Sequence, residues 1–309
     1  MTTQVFLSLL PVVLLIALGM YLRHRRFLDE VFWPQAEKLG YFVLLPCLFF
    51  HGLATANLES LPVSDLALTL IVSTIAVSGL VVALRPLLMV DGPAFTSVFQ
   101  GSVRFNNYVG VSLAAGLFGA KGIALAAICN AAIVPTVNIL CVLVFAKHGT
   151  AKLSGKGILK QLVTNPLVVA SLGGIAFKML GLNIPAGVEP SMRSLGAASL
   201  PLGLICVGAA LDFRTAKQWI GPVASSSAMK FLAMPAATVI AAAIIGLKGP
   251  ALTTALLFQV LPTASSAYIM ARQLGGDAPL MAGITATQTV LALAAIPLVL
   301  IGLSTWIAL

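Results

Sequence analysis

Phe99-Gln100-Gly101-Ser102-Val103-Arg104-Phe105-Asn106-Asn107-Tyr108-Val109-Gly110 is a stretch in which an arginine and two adjacent asparagines interrupt a long apolar run. A second stretch, Phe258-Gln259-Val260-Leu261-Pro262-Thr263-Ala264-Ser265-Ser266, interrupts another. At an offset of 156 residues, Asn106 falls on Pro262 and Asn107 on Thr263. Pro262 removes a backbone donor and clashes with the preceding turn. Asn106, Asn107 and Thr263 are residue types that cap a new helix start. Two readings of the pair stand. In one, both segments are kinked but continuous helices whose buried amides pair with neighbours. In the other, both helices are broken and cross at mid-membrane. Each then offers a half-helix N-terminus, with its N–H groups and positive partial charge, to an anion. Irregular backbone at such depth is tolerated only where it lines a cavity or is buried in protein.

The surrounding chain makes a membrane the setting. Of its 309 residues 59% are apolar and 9% charged, against roughly a quarter charged in a soluble domain. A surface so poor in charge has lipid as its solvent. The net charge of +9 is carried by short Lys and Arg clusters between apolar runs, which is how a membrane protein is oriented rather than how a duplex is gripped. No nucleic-acid partner is expected. The four cysteines, Cys47, Cys129, Cys141 and Cys206, lie inside apolar runs without a CxxC pair and read as small core residues. Met1-Thr2-Thr3-Gln4 lacks a basic n-region, and Arg23-His24-Arg25-Arg26 follows the first run instead of preceding it, so that run reads as a retained span.

Ten runs have the length of a span, about 20 residues: 5–22, 35–57, 65–89, 94–118, 121–146, 158–180, 191–211, 221–246, 250–273 and 279–303. They do not alternate as barrel strands do. The predicted fold is an all-α membrane protein of ten transmembrane helices. The loops after odd-numbered spans hold twelve cations, Arg23, Arg25, Arg26, Lys38, Arg85, Lys147, Lys152, Lys156, Lys160, Arg214, Lys217 and Arg272. The opposite loops hold four, Lys121, Lys178, Arg193 and Lys248. That asymmetry puts the first set in the cytoplasm and both termini outside it, in a cell (inner) membrane.

The chain also repeats. Pro11 and Pro166, like Pro46 and Pro201, stand 155 apart, and Gly119 and Gly275 stand 156 apart; Leu45-Pro46 matches Leu200-Pro201. The repeats are residues 1–146 and 158–309, joined by a cytoplasmic linker, 147–157. Five spans per copy is an odd number, so the second copy is inverted. A 5+5 inverted repeat is the architecture of many secondary transporters, with the site between copies.

Arg104 sharpens the site. A cation within a span is costly and normally paired or functional. Asp29, Glu30, Asp91, Asp212 and Asp277 lie at cytoplasmic ends and Glu59, Asp65 and Glu189 at outer ends, which leaves a substrate carboxylate as the bidentate partner. The competing reading is an Arg that reaches down to the cytoplasmic interface. Lys230 lies about 13 Å into the eighth span at helical rise, where it either snorkels or lines a cavity. Asn130 and Asn138 either line a site or bond helix to helix, with Asn130 favoured for the site. The expected substrate-binding set is Arg104, Asn106, Asn107, Asn130, Gln259, Pro262, Thr263 and Ser265. No catalytic residue, metal or cofactor is expected. An intramembrane enzyme would need a constellation that His24, His51 and His148 do not form, and His51 reads as a packing or interfacial residue. A channel is a further rival.

Arg104 to Leu113 with Leu117-Phe118-Gly119, Leu261 to Tyr268 with Ala271 to Asp277, and Leu44 to Phe50 resemble the fourth, ninth and second spans of the auxin efflux carrier family. The resemblance covers essentially the whole chain and is strongest in these three places. It implies ten helices, a five-plus-five inverted repeat with crossing spans 4 and 9, separate scaffold and transport domains each drawn from both repeats, homodimers and elevator-like movement. It also implies carboxylate substrates, auxin in plants and malonate-type dicarboxylates in bacteria. The short 147–157 connection resembles the bacterial type. Asn106-Asn107 stands where plant carriers show proline, a departure that bears on auxin as the substrate.

Overall fold

The computed structural model describes residues 2–57, 61–150, 164–213 and 219–302. Most of the 147–157 linker therefore lies outside the described residues, as do Glu59, Arg214 and Lys217. Every regular element among the described residues is helical. In chain order they are α1 (Thr2–His24), α2 (Phe32–Leu39), a π-turn (Gly40–Leu44), α3 (Leu45–Ala54), α4 (Val63–Ala83), α5 (Gly92–Val103) and α6 (Asn107–His148). They continue as α7 (Pro166–Met179), α8 (Glu189–Ala210), α9 (Ile220–Ala228), a second π-turn (Met229–Ala233), α10 (Met234–Ile245), α11 (Gly249–Gln259), α12 (Ser266–Leu274) and α13 (Ala278–Gly302). Seven helical stretches among the described residues are long and apolar enough to cross a membrane, and the shorter α7 is also apolar. Leu7, Leu10 and Leu14 of α1 are exposed, as suits a helix whose solvent is hydrocarbon.

The chain is interrupted at both sequence-predicted places. Between α5 and α6, residues 104–106 leave the helix, and Arg104 is extended at φ −74°, ψ 159°. Between α11 and α12, Val260 to Ser265 do the same. The continuous-helix reading is thereby set aside for both. α6 is itself two helices, joined at Gly119 with φ 57° and ψ −137°. Gly275, 156 residues later, closes α12 with φ 72°. A side chain is strained at both angles, so glycine is the residue these two ends call for. Pro46 and Pro201 do not share a local backbone: Pro46 follows the first π-turn, whereas Pro201 lies inside α8.

Two compact units emerge, each drawn from distant parts of the chain. Unit 1 comprises residues 1–64, 107–131 and 163–210; unit 2 comprises 65–106, 132–162 and 211–309. In unit 1, α1 packs on α8, and α3 on α7 and α8. The first contact is close because Gly19 faces the backbone of Ile205 and Gly208 that of Ile16, with no room for a Cβ at either. Arg23 ties off the C-terminal ends of α1 and α8 by donating to Ala209 O at 2.5 Å and to Glu30 at 3.1 Å. In unit 2, α5 packs against α9, α12 and α13 through Ala94, Val98, Val223, Ala267, Ala271 and Ile284. The Asp91 side chain caps α5 through Ala94 N–H at 2.8 Å. Ser97 Oγ donates to Asp277 O at 2.7 Å and Asp277 N–H to Pro93 O at 3.1 Å, which fastens the turn after Gly275 to the start of α5.

Candidate functional site

Both interruptions belong to unit 2, where they touch. The Phe105 and Phe258 rings meet edge to face at 5.6 Å. Thr263 Oγ1 lies 3.0 Å from Gly101 O and 2.7 Å from Gln288 Oε1, and its hydroxyl donates to one at a time. Thr263 N–H donates to the same Gln288 Oε1 at 3.1 Å, and Gln288 Nε2 donates to Gly101 O at 3.0 Å and Ser226 Oγ at 3.2 Å. Gln288 thus replaces the helical partners that the break takes from Thr263 and Gly101. Unpaired backbone at this depth would cost several kcal/mol per group, on the order of water-to-hydrocarbon transfer. Pro262 supplies the stop itself, and the residue before it, Leu261, is driven out of helical geometry.

Arg104 is half-buried at the first break. Its guanidinium donates to Asn138 Oδ1 at 3.0 Å, approaches Met270 Sδ at 3.4 Å and stands 3.5 Å from Ser266 Oγ. All three partners are neutral, and among the described residues no carboxylate pairs with Arg104. Ser266 is the first residue of α12, and a helix start carries positive partial charge. A guanidinium and a helix N-terminus therefore converge on one point, a combination that repels unless an anion lies between them.

The remaining predicted residues fall out as follows. Asn106 is buried beside Arg104 in the first break, and Ser265 precedes α12 in the second. Gln259 is buried, but its amide is committed to α4, donating to Ser73 Oγ at 2.9 Å and Thr74 Oγ1 at 3.0 Å. Arg104, Asn106, Gln259, Pro262, Thr263 and Ser265 thus share unit 2, while Asn107 and Asn130 belong to unit 1. Asn130 Nδ2 donates within its own helix to Ala126 O at 2.9 Å, and its Oδ1 is buried without a partner; so is Asn107 Oδ1. A cavity of 510 Å³ lies wholly in unit 1, lined by His51, Thr55, Asn57, Lys121, Arg193 and otherwise apolar residues, and none of the eight predicted residues lines it. His51 pairs there with Glu189 at 3.4 Å.

Several groups escaped the sequence reading. Gln100, one turn before the first break, is buried with neither end of its amide partnered. Gln288 lies in an apolar helix that no polar cluster marks, and Ser266 and Met270 gain meaning only once α12 is folded onto α5. Asn138 was weighed below Asn130, yet it is Asn138 that holds Arg104. Glu37, omitted from the acids at span ends, is half-buried in α2. Lys230 does not snorkel: it is fully buried.

Residues 4–300 match the family described as "Membrane transport protein". The chain is 25% identical over 296 residues to a protein of Methanothermobacter thermautotrophicus named an uncharacterized transporter, covering 94% of this chain and 96% of that one. It is 24% identical over 251 residues to a putative malonate transporter of Rhizobium meliloti, covering 76% and 75%. It is also 29% identical over 120 residues to auxin efflux carrier component 3a of Oryza sativa subsp. japonica, covering 37% and 19%. Apolar helices of spanning length, two paired interruptions and a match over nearly the whole chain lead to one assignment: this is a multi-pass membrane transport protein of the auxin efflux carrier family.

Proposed function

We propose that this protein is a secondary transporter of a small organic anion, a carboxylate of the malonate type, bound where the two broken helices meet. The observation that carries the proposal is the convergence of Arg104 with the start of α12, among neutral partners only. A carboxylate there satisfies the guanidinium bidentately and sits on the helix end. Asn106, Thr263, Ser265 and the unmet amide of Gln100 are its neutral partners; Gln259 and Pro262 complete the substrate-binding set from the second break. Asn107 and Asn130 belong to unit 1 and are proposed as substrate-binding from their residue type and their buried, unpartnered Oδ1 atoms.

The architecture we propose is ten spans in a 5+5 inverted repeat with crossing spans 4 and 9. Its support is arithmetical. The seven long stretches include Gly92–His148, which Gly119 divides; α7 and the interrupted Gly249–Leu274 segment complete ten. The breaks begin 156 residues apart, at Arg104 and Val260, as do the left-handed glycines. Movement is elevator-type: the unit carrying both breaks travels, and the other is held in a homodimer within the inner membrane. One relative is named a putative malonate transporter, and a short dicarboxylate fits one charged anchor plus neutral donors. A coupled dicarboxylate uptake carrier, driven by Na⁺ or H⁺, is the second reading, favoured because backbone carbonyls of an interrupted helix can bind Na⁺ without an acidic residue.

The test is a binding screen of the purified protein against mono- and dicarboxylates by thermal shift. Stabilisation by a short dicarboxylate, absent with its diamide, is the expected result. No carboxylate shifting the melting curve overturns the proposal.

A further inference from the structure

Lys230 is the second cation inside the apolar segments, and the anion site does not use it. It sits in the π-turn Met229–Ala233, at 0% exposure. Among the described residues its ammonium has one partner, Val103 O, at 3.5 Å. Val103 is the last residue of α5, directly before the first break. The last carbonyls of a helix have no intrahelical donor and carry the negative end of its dipole. Gly101 O, in the same last turn, already accepts from Gln288. No carboxylate among the described residues pairs with Lys230. A buried ammonium without a counter-ion is expensive, so a cation kept there is offset by those carbonyls. π-turns in α-helices recur at functional positions, and this one delivers the lysine to the break.

The C-terminal end of a half-helix is a place where transporters with interrupted helices bind a free monovalent cation. We infer that Lys230 is the resident cation of such a site: its tethered ammonium stands at the Val103 carbonyl, on the C-terminal end of α5, where Na⁺ would otherwise be held. The protein then carries its own ion and has no use for Na⁺ at this position. The inference deepens the anion-carrier reading by assigning its ion requirement, and it fails separately, because its test contains no carboxylate.

The experiment is the thermal stability of wild type, Lys230→Ala and Lys230→Met in Na⁺, K⁺ and choline chloride at equal ionic strength. Lys230→Ala removes the ammonium and leaves room; Lys230→Met removes the charge and fills the space. Wild type is expected to melt alike in the three salts. Lys230→Ala is expected to melt lower than wild type in K⁺ and choline and to recover in Na⁺, saturably. Lys230→Met is expected to show no Na⁺ preference. A Na⁺-specific stabilisation of wild type overturns the inference, since the site would then be open. So does a folded Lys230→Ala indifferent to Na⁺, a Lys230→Met that responds as Ala does, or an Ala variant that is monodisperse in none of the salts.

Discussion

The two breaks of unit 2 interrupt their helices at matched places by opposite chemical means. The second is made by proline: Pro262 stops α11, and Gln288 and Gly101 take up Thr263. It carries no charge. The first has no proline. Its backbone simply turns extended at Arg104, and it bears the one guanidinium, held by Asn138 and facing the start of α12. The two breaks begin 156 residues apart, yet their side chains differ in kind. A cargo bound there meets charge on one side and a fixed, neutral lattice on the other, which suits an anion better than a cation or a neutral solute.

The largest expected effect is all-or-none and asks whether the two breaks belong to inverted copies. In a background without native cysteines, Lys121→Cys, just after Gly119, is labelled by an impermeant reagent from outside the cell. Arg272→Cys, just before Gly275, is shielded. Labelling of both from the same side breaks the comparison at its root.

The next effect is on binding. Arg104→Gln is expected to weaken carboxylate affinity by about ten- to hundredfold, the worth of one hydrogen bond to a charge, roughly 1.5–3 kcal/mol. Arg104→Lys recovers part of it, because a point charge lacks the fork. Titration calorimetry with a short dicarboxylate reads both, and equal affinity in all three proteins removes the guanidinium from the site.

Much of this was legible in advance, and the reasons differ by region. Spans and interruptions show in sequence because a lipid-facing helix tolerates few polar residues, so Arg104, Asn106-Asn107 and Pro262 stand out. Gly119 and Gly275 were legible as a pair at the repeat offset, but their left-handed backbone was not, because spacing carries no information on φ. Gln288 was not, since one amide in an apolar helix has no meaning until the helix is docked on the break it supports. For Lys230 the two readings, snorkelling and cavity lining, stayed level for a related reason. Depth along a helix says how far a lysine is from water, but not whether its neighbours leave a way out. The assignment of residues 107–131 to a unit apart from 65–106 also has no local signal, because it depends on long-range packing.

A smaller effect separates the two breaks by stability. Gln288→Leu strands Thr263 N–H, while Gly101 O still accepts from the Thr263 hydroxyl, and is expected to cost about 1–3 kcal/mol. Thermal unfolding in detergent shows a lower midpoint; an unchanged midpoint means Gln288 does not support the second break. The smallest effect is that of Pro262→Ala. With Gln288 still engaging Thr263, the break persists, and binding is expected to change by less than about 1 kcal/mol, in the range of ordinary single substitutions. A loss as large as that of Arg104→Gln would show that proline, rather than the amide, holds the break open.

The central claim is that an organic anion crosses at these breaks, driven by its own charge. An anion leaving an inside-negative cell gains about 2.3 kcal/mol per charge per 100 mV, and nothing at the site requires a pH gradient to move it. The direct measurement is flux of labelled malonate in proteoliposomes, with membrane potential and pH gradient clamped independently, for wild type and Arg104→Gln. The expected result is saturable flux that follows the potential, needs no pH gradient and is lost in the variant. Flux that follows the pH gradient at zero potential and ignores the potential itself, or that persists undiminished in Arg104→Gln, would contradict it.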